Sequence, residues 1–302
     1  MNIVKFILYI LGISSLLIAQ GFNHPELEWE TIEGKHFIVH YHQNTEWTAN
    51  EALHVADDIY AGITSLYQYE PEEKTQIIIR DTDDYANGGA YYFDNKIEIW
   101  AMPLDYDLRG SHYWLRDVIT HEFTHIISLR ASRKLHKNVP AAYLQVISYE
   151  PERREDVLYG YPNGIASYPI PSVVVPMWWA EGIAQFQNDT TRWDWWDSVR
   201  DMMLRDRISY DKVLTLNEMD GFGKVGIGNE SVYNHGFGFV RYLAHEYGQD
   251  VLKRITDRLS SPRNYGFYKA LEAETGVPAN RLWDDWVTSL AARQALSFQD
   301  DE

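Results

Sequence analysis

The segment His121-Glu122-Phe123-Thr124-His125 contains the residue types and the spacing best suited to chemistry. In a helix, residues four apart lie on one face, so the two imidazoles can bind one divalent ion. Glu122 would then be close enough to hold a water molecule on that ion and take its proton. Zinc accepts neutral His nitrogens at about 2.0–2.1 Å, and a catalytic zinc has three protein ligands and one open position. The segment therefore predicts a zinc hydrolase site that needs a third ligand. The alternative is two histidines on a surface helix.

The residues on either side of this segment predict a helix with one buried side and one side facing a cleft. One stripe at helical spacing is apolar and is expected to be buried: Leu115, Ile119, Phe123 and Ile126. The neighbouring stripe carries the candidate ligands: Val118, His121, Glu122, His125 and Leu129. Asp117 precedes His121 by one turn, where it either orients that imidazole as a hydrogen-bond acceptor or lies on the helix surface.

Glu181 is the best candidate for the third ligand. It lies among Trp178, Trp179, Ile183 and Phe186. A carboxylate in such apolar surroundings is costly to bury unless it is paired or coordinates a metal. The glycine that follows it would let another backbone approach closely.

The motif Trp-x-x-Glu-Gly-x-Ala at positions 178–184 resembles the second zinc motif of the gluzincin aminopeptidases, thermolysin-like metallopeptidases whose third zinc ligand is a Glu. The resemblance implies an α+β protein of the zincin fold. It also implies that His121, His125 and Glu181 bind the zinc and that Glu122 is the general base.

A third stretch, Tyr233-Asn234-His235-Gly236, is similar to the Tyr-x-Lys-Gly segment that opens a helix in the same family. The resemblance implies that the Tyr233 hydroxyl stabilises the oxyanion of the tetrahedral intermediate, since a phenol is a neutral donor that can be aimed at charge formed in the transition state. The alternative is a tyrosine that packs the start of a helix. His235 replaces the usual Lys and is a second candidate donor to the oxyanion.

Two departures limit what the resemblance implies. The 55 residues between His125 and Glu181 indicate an insertion between the two ligand helices. The aminopeptidase branch also has a Gly-x-Met-Glu-Asn strand whose Glu holds the substrate amine, and residues 88–95 contain no such Glu. Peptide hydrolysis is therefore implied without aminopeptidase specificity. The closer similarity is to secreted bacterial proteins with a peptidase-MA-like gluzincin domain, some of which continue into a β-propeller.

Residues 25–110 predict a mixed α/β lobe of the peptidase. Alternation predicts a strand at Glu28–His42, and an amphipathic helix is expected over Trp47–Tyr67. A short buried strand is expected at Thr75–Arg80 and another strand at Lys96–Met102, between Asn95 and Pro103. In zincin folds, the edge strand of the sheet lies over the cleft and pairs with the substrate backbone. The resemblance would give that position to Lys96–Trp100, and the alternative is an ordinary internal strand.

Residues 111–302 predict a helical lobe that carries the zinc site. Besides the ligand helices, four are expected: Tyr233–Tyr247, Asp250–Leu259, Tyr265–Glu274 and Asn280–Leu296. The insertion at 139–176 differs, because its prolines prevent long helices and its tyrosines provide aromatic surface. It is either a lid that selects substrates or a structural brace.

The first 20 residues predict a secretory signal peptide. Lys5 precedes an apolar run from Phe6 to Ala19, which at 14 residues is shorter than the roughly 20 that a spanning helix needs. The protein is therefore expected to be exported to the periplasm or the extracellular space, with no stable membrane span once the segment is removed. The alternative is an uncleaved anchor. The chain contains no cysteine, which excludes disulfides, thiolate zinc ligands and a cysteine nucleophile.

The net charge of −17 argues against nucleic acid as a partner. One basic cluster follows the zinc helix, where it either complements the helix C-terminus or docks an acidic substrate or partner: Arg130, Arg133, Lys134, His136 and Lys137. The sequence as a whole predicts an exported zinc-dependent peptidase that acts on a peptide or protein. The rival hypothesis is a zincin-fold binding or scaffold module with weak or lost hydrolysis. The sequence does not indicate an oligomeric state.

Overall fold

The structure, a computed structural model, describes residues 24–104, 113–135, 142–149, 162–170, 173, 175–186, 198–221, 226–264 and 266–299. The expected signal peptide at 1–20 lies outside these residues. Within the described ranges, no helix combines the length and the apolar character needed to cross a bilayer.

A five-stranded mixed sheet forms the N-terminal part of the fold. Its strands are β1 (Trp29–Glu33), β2 (Phe37–His42), β3 (Thr75–Arg80), β4 (Gly88–Tyr91) and β5 (Lys96–Trp100). They are arranged in the order β1-β2-β3-β5-β4. The three central strands run parallel, and each outer strand is antiparallel to its neighbour.

The alternating strands present one apolar face. Ile77 pairs in register with Ile97, and Ile79 pairs with Ile99. All four are fully buried in the same core as helix α1 (Glu46–Tyr67). Period-two alternation in the sequence therefore becomes one buried layer, as expected for a sheet covered by helices on one face.

The prediction of a single strand over Glu28–His42 was wrong. The chain turns at Gly34, and β1 and β2 form an antiparallel pair. Asp57 of α1 stabilises this turn, because its carboxylate accepts hydrogen bonds from the backbone N–H groups of Lys35 and His36 at 3.1 and 3.0 Å.

The edge strand next to the helices is β4, and Lys96–Trp100 is internal. A tight turn joins the two strands, with Asn95 in the left-handed region at φ 53° and the N–H of Asp94 donating to the Tyr91 carbonyl at 3.0 Å. The hairpin folds β4 onto the outer side of β5, so the placement of Lys96–Trp100 at the edge was wrong.

Seven further helices follow the sheet in the described part of the chain. They are α2 (Trp114–Ala131), α3 (Met177–Gln185), α4 (Ser198–Ser209), α5 (Gly226–Tyr247), α6 (Val251–Ser260), α7 (Phe267–Thr275) and α8 (Ala279–Gln299). One continuous apolar core joins the sheet to these helices. The mixed α+β class is confirmed, as are the expected helices over Trp47–Tyr67 and after Asp250. Helix α4 was not predicted.

The expectation that a helix begins at Tyr233 was wrong, because α5 begins at Gly226 and places Tyr233 two turns inside. Gly226 and Gly228 have low helix propensity, so the sequence did not predict the first two turns of α5. The buried positions Glu230, Ser231 and Val232 indicate that tertiary packing stabilises this part of the helix.

The insertion contains two antiparallel strands, β6 (Ala142–Tyr149) and β7 (Pro162–Ile170). The expected absence of a long helix holds for these described residues. Their pairing into a hairpin was not predicted.

Candidate metal centre

Helix α2 positions His121, Glu122 and His125 through its buried side. The Phe123 ring packs 4.9 Å from the Phe37 ring and 5.6 Å from the Tyr60 ring. Because Phe123 is fully buried, the helix cannot rotate without losing this packing. The predicted apolar stripe is buried at Ile119, Phe123 and Ile126, and only partly at Leu115.

Helix α3 positions Glu181 by similar means. Trp178 and Trp179 are almost completely buried, and both rings pack against Phe267. Their burial leaves Glu181 facing α2. The carboxylate is itself only 8% exposed, as expected for an acid that is paired or coordinates a metal.

The three candidate ligand atoms lie close together. His121 Nε2 is 3.0 Å from Glu181 Oε2 and 3.1 Å from His125 Nε2, and His125 Nε2 is 3.4 Å from Glu181 Oε2. Tetrahedral ligands at about 2.0–2.1 Å from zinc are separated by about 3.3 Å. The donor types and their separations therefore fit one zinc ion, and among the described residues this is the one such group of three.

The Glu181 carboxylate and the His125 imidazole shift each other's pKa values. Burial alone would raise the pKa of Glu181, but the charge of His125 and hydrogen bonds from both histidines outweigh it and hold the pKa well below its usual range. Burial alone would likewise lower the pKa of His125, yet Glu181 and Glu122 raise it above its usual value. Each shift stabilises the charged form through the pairing of Glu181 with the histidines, and a metal ion bound by these residues would take the place of the shared proton.

Glu122 lies beside the trio and beneath the edge strand of the sheet. A Cβ built on Gly88 of β4 would be 3.0 Å from Glu122 Oε1 and 2.3 Å from Val118 Cγ2. The strand can therefore cross the carboxylate at this distance only because residue 88 has no side chain. Glu122 is 8% exposed and is not one of the three clustered ligands.

Tyr233 reaches the site from α5. Its ring centroid is 5.8 Å from that of His121, and it lines the same small cavity. His235 does not join it, because two residues along a helix point to nearly opposite sides. The His235 ring instead lies 6.3 Å from Trp286, and its Nδ1–H donates to the Ser231 carbonyl at 2.6 Å. The hypothesis that His235 donates to the oxyanion was therefore wrong.

The cavity next to the metal trio measures about 70 Å³. Asp117 is partly buried and is among its lining residues. Gln185 and Arg200 also line the cavity, and both were missed from the sequence. Gln185 follows Glu181 by one helical turn, a spacing that was available as a signal. Arg200 belongs to the unpredicted helix α4 and had no motif around it.

The described members of the basic cluster have structural partners. Arg130 donates to the Tyr92 carbonyl at 3.0 Å, and Arg133 lies over the Phe93 ring. Lys134 donates to backbone carbonyls at the end of α6, including that of Ser261 at 3.0 Å. The complemented helix C-terminus is thus that of α6. His136 and Lys137 lie outside the described residues.

No protein-family model matches the chain, and a search among curated proteins finds no similar sequence.

Proposed function

We propose that this protein is a zinc-dependent peptidase of the gluzincin type, with a zincin fold. The observation that carries the proposal is the convergence of His121, His125 and Glu181, whose donor atoms lie within 3.4 Å of one another. Glu122 lies beside them. A binding or scaffold module would not need a carboxylate at this position, so its presence favours an enzyme.

The three ligands suit zinc by type as well as by separation. Two imidazoles and one carboxylate form a common catalytic zinc set, and they leave one position open. Zinc bound there would supply a Lewis acid for the scissile carbonyl and would lower the pKa of a water molecule.

Glu122 has the position of a general base. Its carboxylate accepts the proton of the attacking water and delivers it to the leaving amine. Gly88 lies over the carboxylate and Glu122 is only 8% exposed, which limits its contact with bulk water. An enclosed carboxylate needs little reorganisation during the reaction.

Tyr233 and β4 would act on the substrate. The Tyr233 hydroxyl donates a hydrogen bond to the oxygen of the scissile carbonyl as negative charge develops. Strand β4 pairs with β5 on one side, and its other side has no strand neighbour among the described residues. An extended peptide can therefore pair with β4 and pass over Glu122. A peptide or protein is the substrate that this geometry suits.

The proposal is tested with two substitutions in the site. Glu181→Ala removes a ligand and should abolish stoichiometric zinc, as measured by metal analysis. Glu122→Gln is nearly isosteric and should retain zinc and the melting temperature while hydrolysis of a peptide library falls by roughly 10²–10⁴-fold. Glu272→Gln, on an exposed site of α7, is the matched control.

The outcomes separate the parts of the proposal. Full zinc occupancy in Glu181→Ala would show that Glu181 is not a ligand. The next candidates for the third ligand would be Glu150, Glu155 and Asp156, which lie outside the described residues. Parental activity in Glu122→Gln would exclude Glu122 as the base. Zinc binding without hydrolysis by the parent protein across the library would support the scaffold hypothesis.

Export is part of the proposal and has its own test. The mature protein from the native host should lack residues 1–20, as measured by mass spectrometry of its N-terminal peptide. A mature protein that retains Phe6–Ala19 would support the membrane-tethered alternative.

A further inference from the structure

A second cleft, of about 600 Å³, lies between helices α4, α5 and α8. None of the three candidate metal ligands lines it. Its volume is in the range of small-molecule binding sites, whereas the cavity beside the metal trio is far smaller. The cleft is therefore distinct from the proposed catalytic site.

The wall between the helices is apolar. Leu204 of α4 is 4% exposed, and Ile208, Tyr242 and Leu290 are partly buried against the main core. These side chains come from three different helices that pack on one core, so the apolar wall belongs to the fixed part of the fold. A bare inorganic ion would gain nothing from this surface.

Three arginines and two acidic residues line the cleft, so its lining carries one net positive charge when histidine is counted as neutral. Asp201 pairs with Arg205 at 3.0 Å, and Glu246 pairs with His245 at 2.9 Å. Arg241 and Arg293 also line the cleft, and neither forms a hydrogen bond or an ion pair with any residue in the described ranges. In a chain with a net charge of −17, two guanidinium groups that have no partner among the described residues, beside an apolar wall, favour a site for an anion.

We propose that this cleft binds a single-chain anionic amphiphile, with its acidic head on Arg241 and Arg293 and its alkyl tail along Leu204 and Leu290. Guanidinium groups bind carboxylate and phosphate oxygens through paired hydrogen bonds, which gives the head its position. The tail gains free energy by covering the apolar wall. A fatty acid and a lysophospholipid have this chemistry in common.

The binding site does not depend on the proposed peptidase activity. It is measured by titration calorimetry with the purified full chain, below the micelle-forming concentration of each probe. The anionic probes are dodecanoate and dodecyl phosphate. Dodecyl maltoside has the same tail without the charge, and inorganic phosphate has the charge without the tail.

The charge requirement is tested with a double variant and a matched control. Arg241→Gln/Arg293→Gln should weaken binding of the anionic probe about tenfold or more, because it removes charge-assisted hydrogen bonds. Arg263→Gln/Lys269→Gln changes the net charge equally on an exposed surface outside the cleft and should bind like the parent. Melting curves verify that both double variants are folded.

The tail requirement is tested on the parent protein, so it does not depend on any variant. Decanoate, two methylenes shorter than dodecanoate, should bind roughly tenfold more weakly. Tighter binding of dodecyl phosphate than of dodecanoate would assign a phospholipid-type head, and the reverse would assign a fatty acid. Either result supports the proposal.

Three results would overturn it. The first is equal binding of dodecyl maltoside and dodecanoate. The second is unchanged binding after Arg241→Gln/Arg293→Gln. The third is absence of saturable binding by both anionic probes.

Discussion

Gly182 of α3 and Gly236 of α5 meet backbone to backbone at the crossing that brings Glu181 and Tyr233 to the same site. A Cβ built on Gly182 would lie 2.5 Å from both the carbonyl carbon and the carbonyl oxygen of Gly236. A Cβ on Gly236 would lie 2.3 Å from the Trp178 carbonyl oxygen. Because neither glycine has a side chain, α3 and α5 can approach closely at this crossing. The close approach sets the separation between Glu181, the candidate metal ligand, and Tyr233, the candidate oxyanion donor.

We predict that Gly182→Ala destabilises the protein and weakens zinc binding. Alanine gains up to about 1 kcal/mol in helix propensity, but its Cβ meets backbone atoms that cannot rotate away. Forced separation of packed helices typically costs about 1–3 kcal/mol. The free energy of unfolding and the zinc affinity should both fall. Gly221→Ala, where a Cβ meets nothing within 4 Å, should change stability by less than about 0.5 kcal/mol. Equal stability of Gly182→Ala and Gly221→Ala would show that close packing of α3 on α5 does not require glycine at position 182.

Adjacent glycines in β4 provide a second matched pair. Gly88→Ala should displace Glu122, because its Cβ would lie 2.3 Å from Val118 Cγ2 and 3.0 Å from Glu122 Oε1. Displacement of a catalytic group by about 1 Å can cost roughly 100-fold in rate. Gly89→Ala meets only the Tyr91 ring at 3.9 Å and should behave like the parent. Peptide turnover and zinc content are measured, and zinc should be retained in both variants. Similar turnover in the two variants would argue against the positioning of Glu122 by Gly88.

Tyr233→Phe separates a catalytic hydroxyl from a packing residue. If the hydroxyl contacts only the developing oxyanion, its loss should lower turnover about 10- to 1000-fold while zinc content and melting temperature stay unchanged. Tyr210→Phe, on a tyrosine that is 69% exposed, controls for loss of a phenol elsewhere. Unchanged turnover, or a lower melting temperature as the main effect, would assign Tyr233 to packing.

The stability of the protein should fall in mild acid because of His235. Burial lowers the pKa of this imidazole to about 4, against the opposing effect of its hydrogen bond to Ser231. The unfolded chain therefore binds a proton at His235 at a higher pH than the folded protein does. The contribution of His235 to the free energy of unfolding is fully present above about pH 6.5 and is lost as the pH falls toward 4 and below. This group alone should cost about 2 kcal/mol between pH 7 and pH 4.5.

Comparison with a variant isolates that contribution. His235→Phe should reduce the pH dependence of the free energy of unfolding by this amount, measured by denaturant titration at the two pH values. His245→Phe, on an exposed side chain, should retain the full pH dependence of the parent. The same slope in all three proteins would show that His235 is not the titrating group.

The sequence by itself determined the features that depend on neighbours in the chain. Helical spacing identified the helix that carries His121 and His125, and a short apolar run identified the buried strand Thr75–Arg80 with its observed bounds. Residues a few positions apart are held together by backbone geometry, so their pattern carries the local structure. The apolar neighbours of Glu181 indicated burial in the same way. The assignment of zinc and of peptidase chemistry to these residues stays a prediction.

The tertiary structure decided which distant segments meet. Strand Lys96–Trp100 has the pattern of a buried strand, but its neighbours depend on how the hairpin folds, and β4 took the edge position. The position of Arg200 in the cavity and that of His235 beside Trp286 likewise depend on packing between helices that are far apart in sequence. Side-chain patterns report burial, whereas the partner that provides the burial is selected by close packing between segments far apart in sequence. At the centre of this protein, that packing is the contact between α3 and α5 at Gly182 and Gly236.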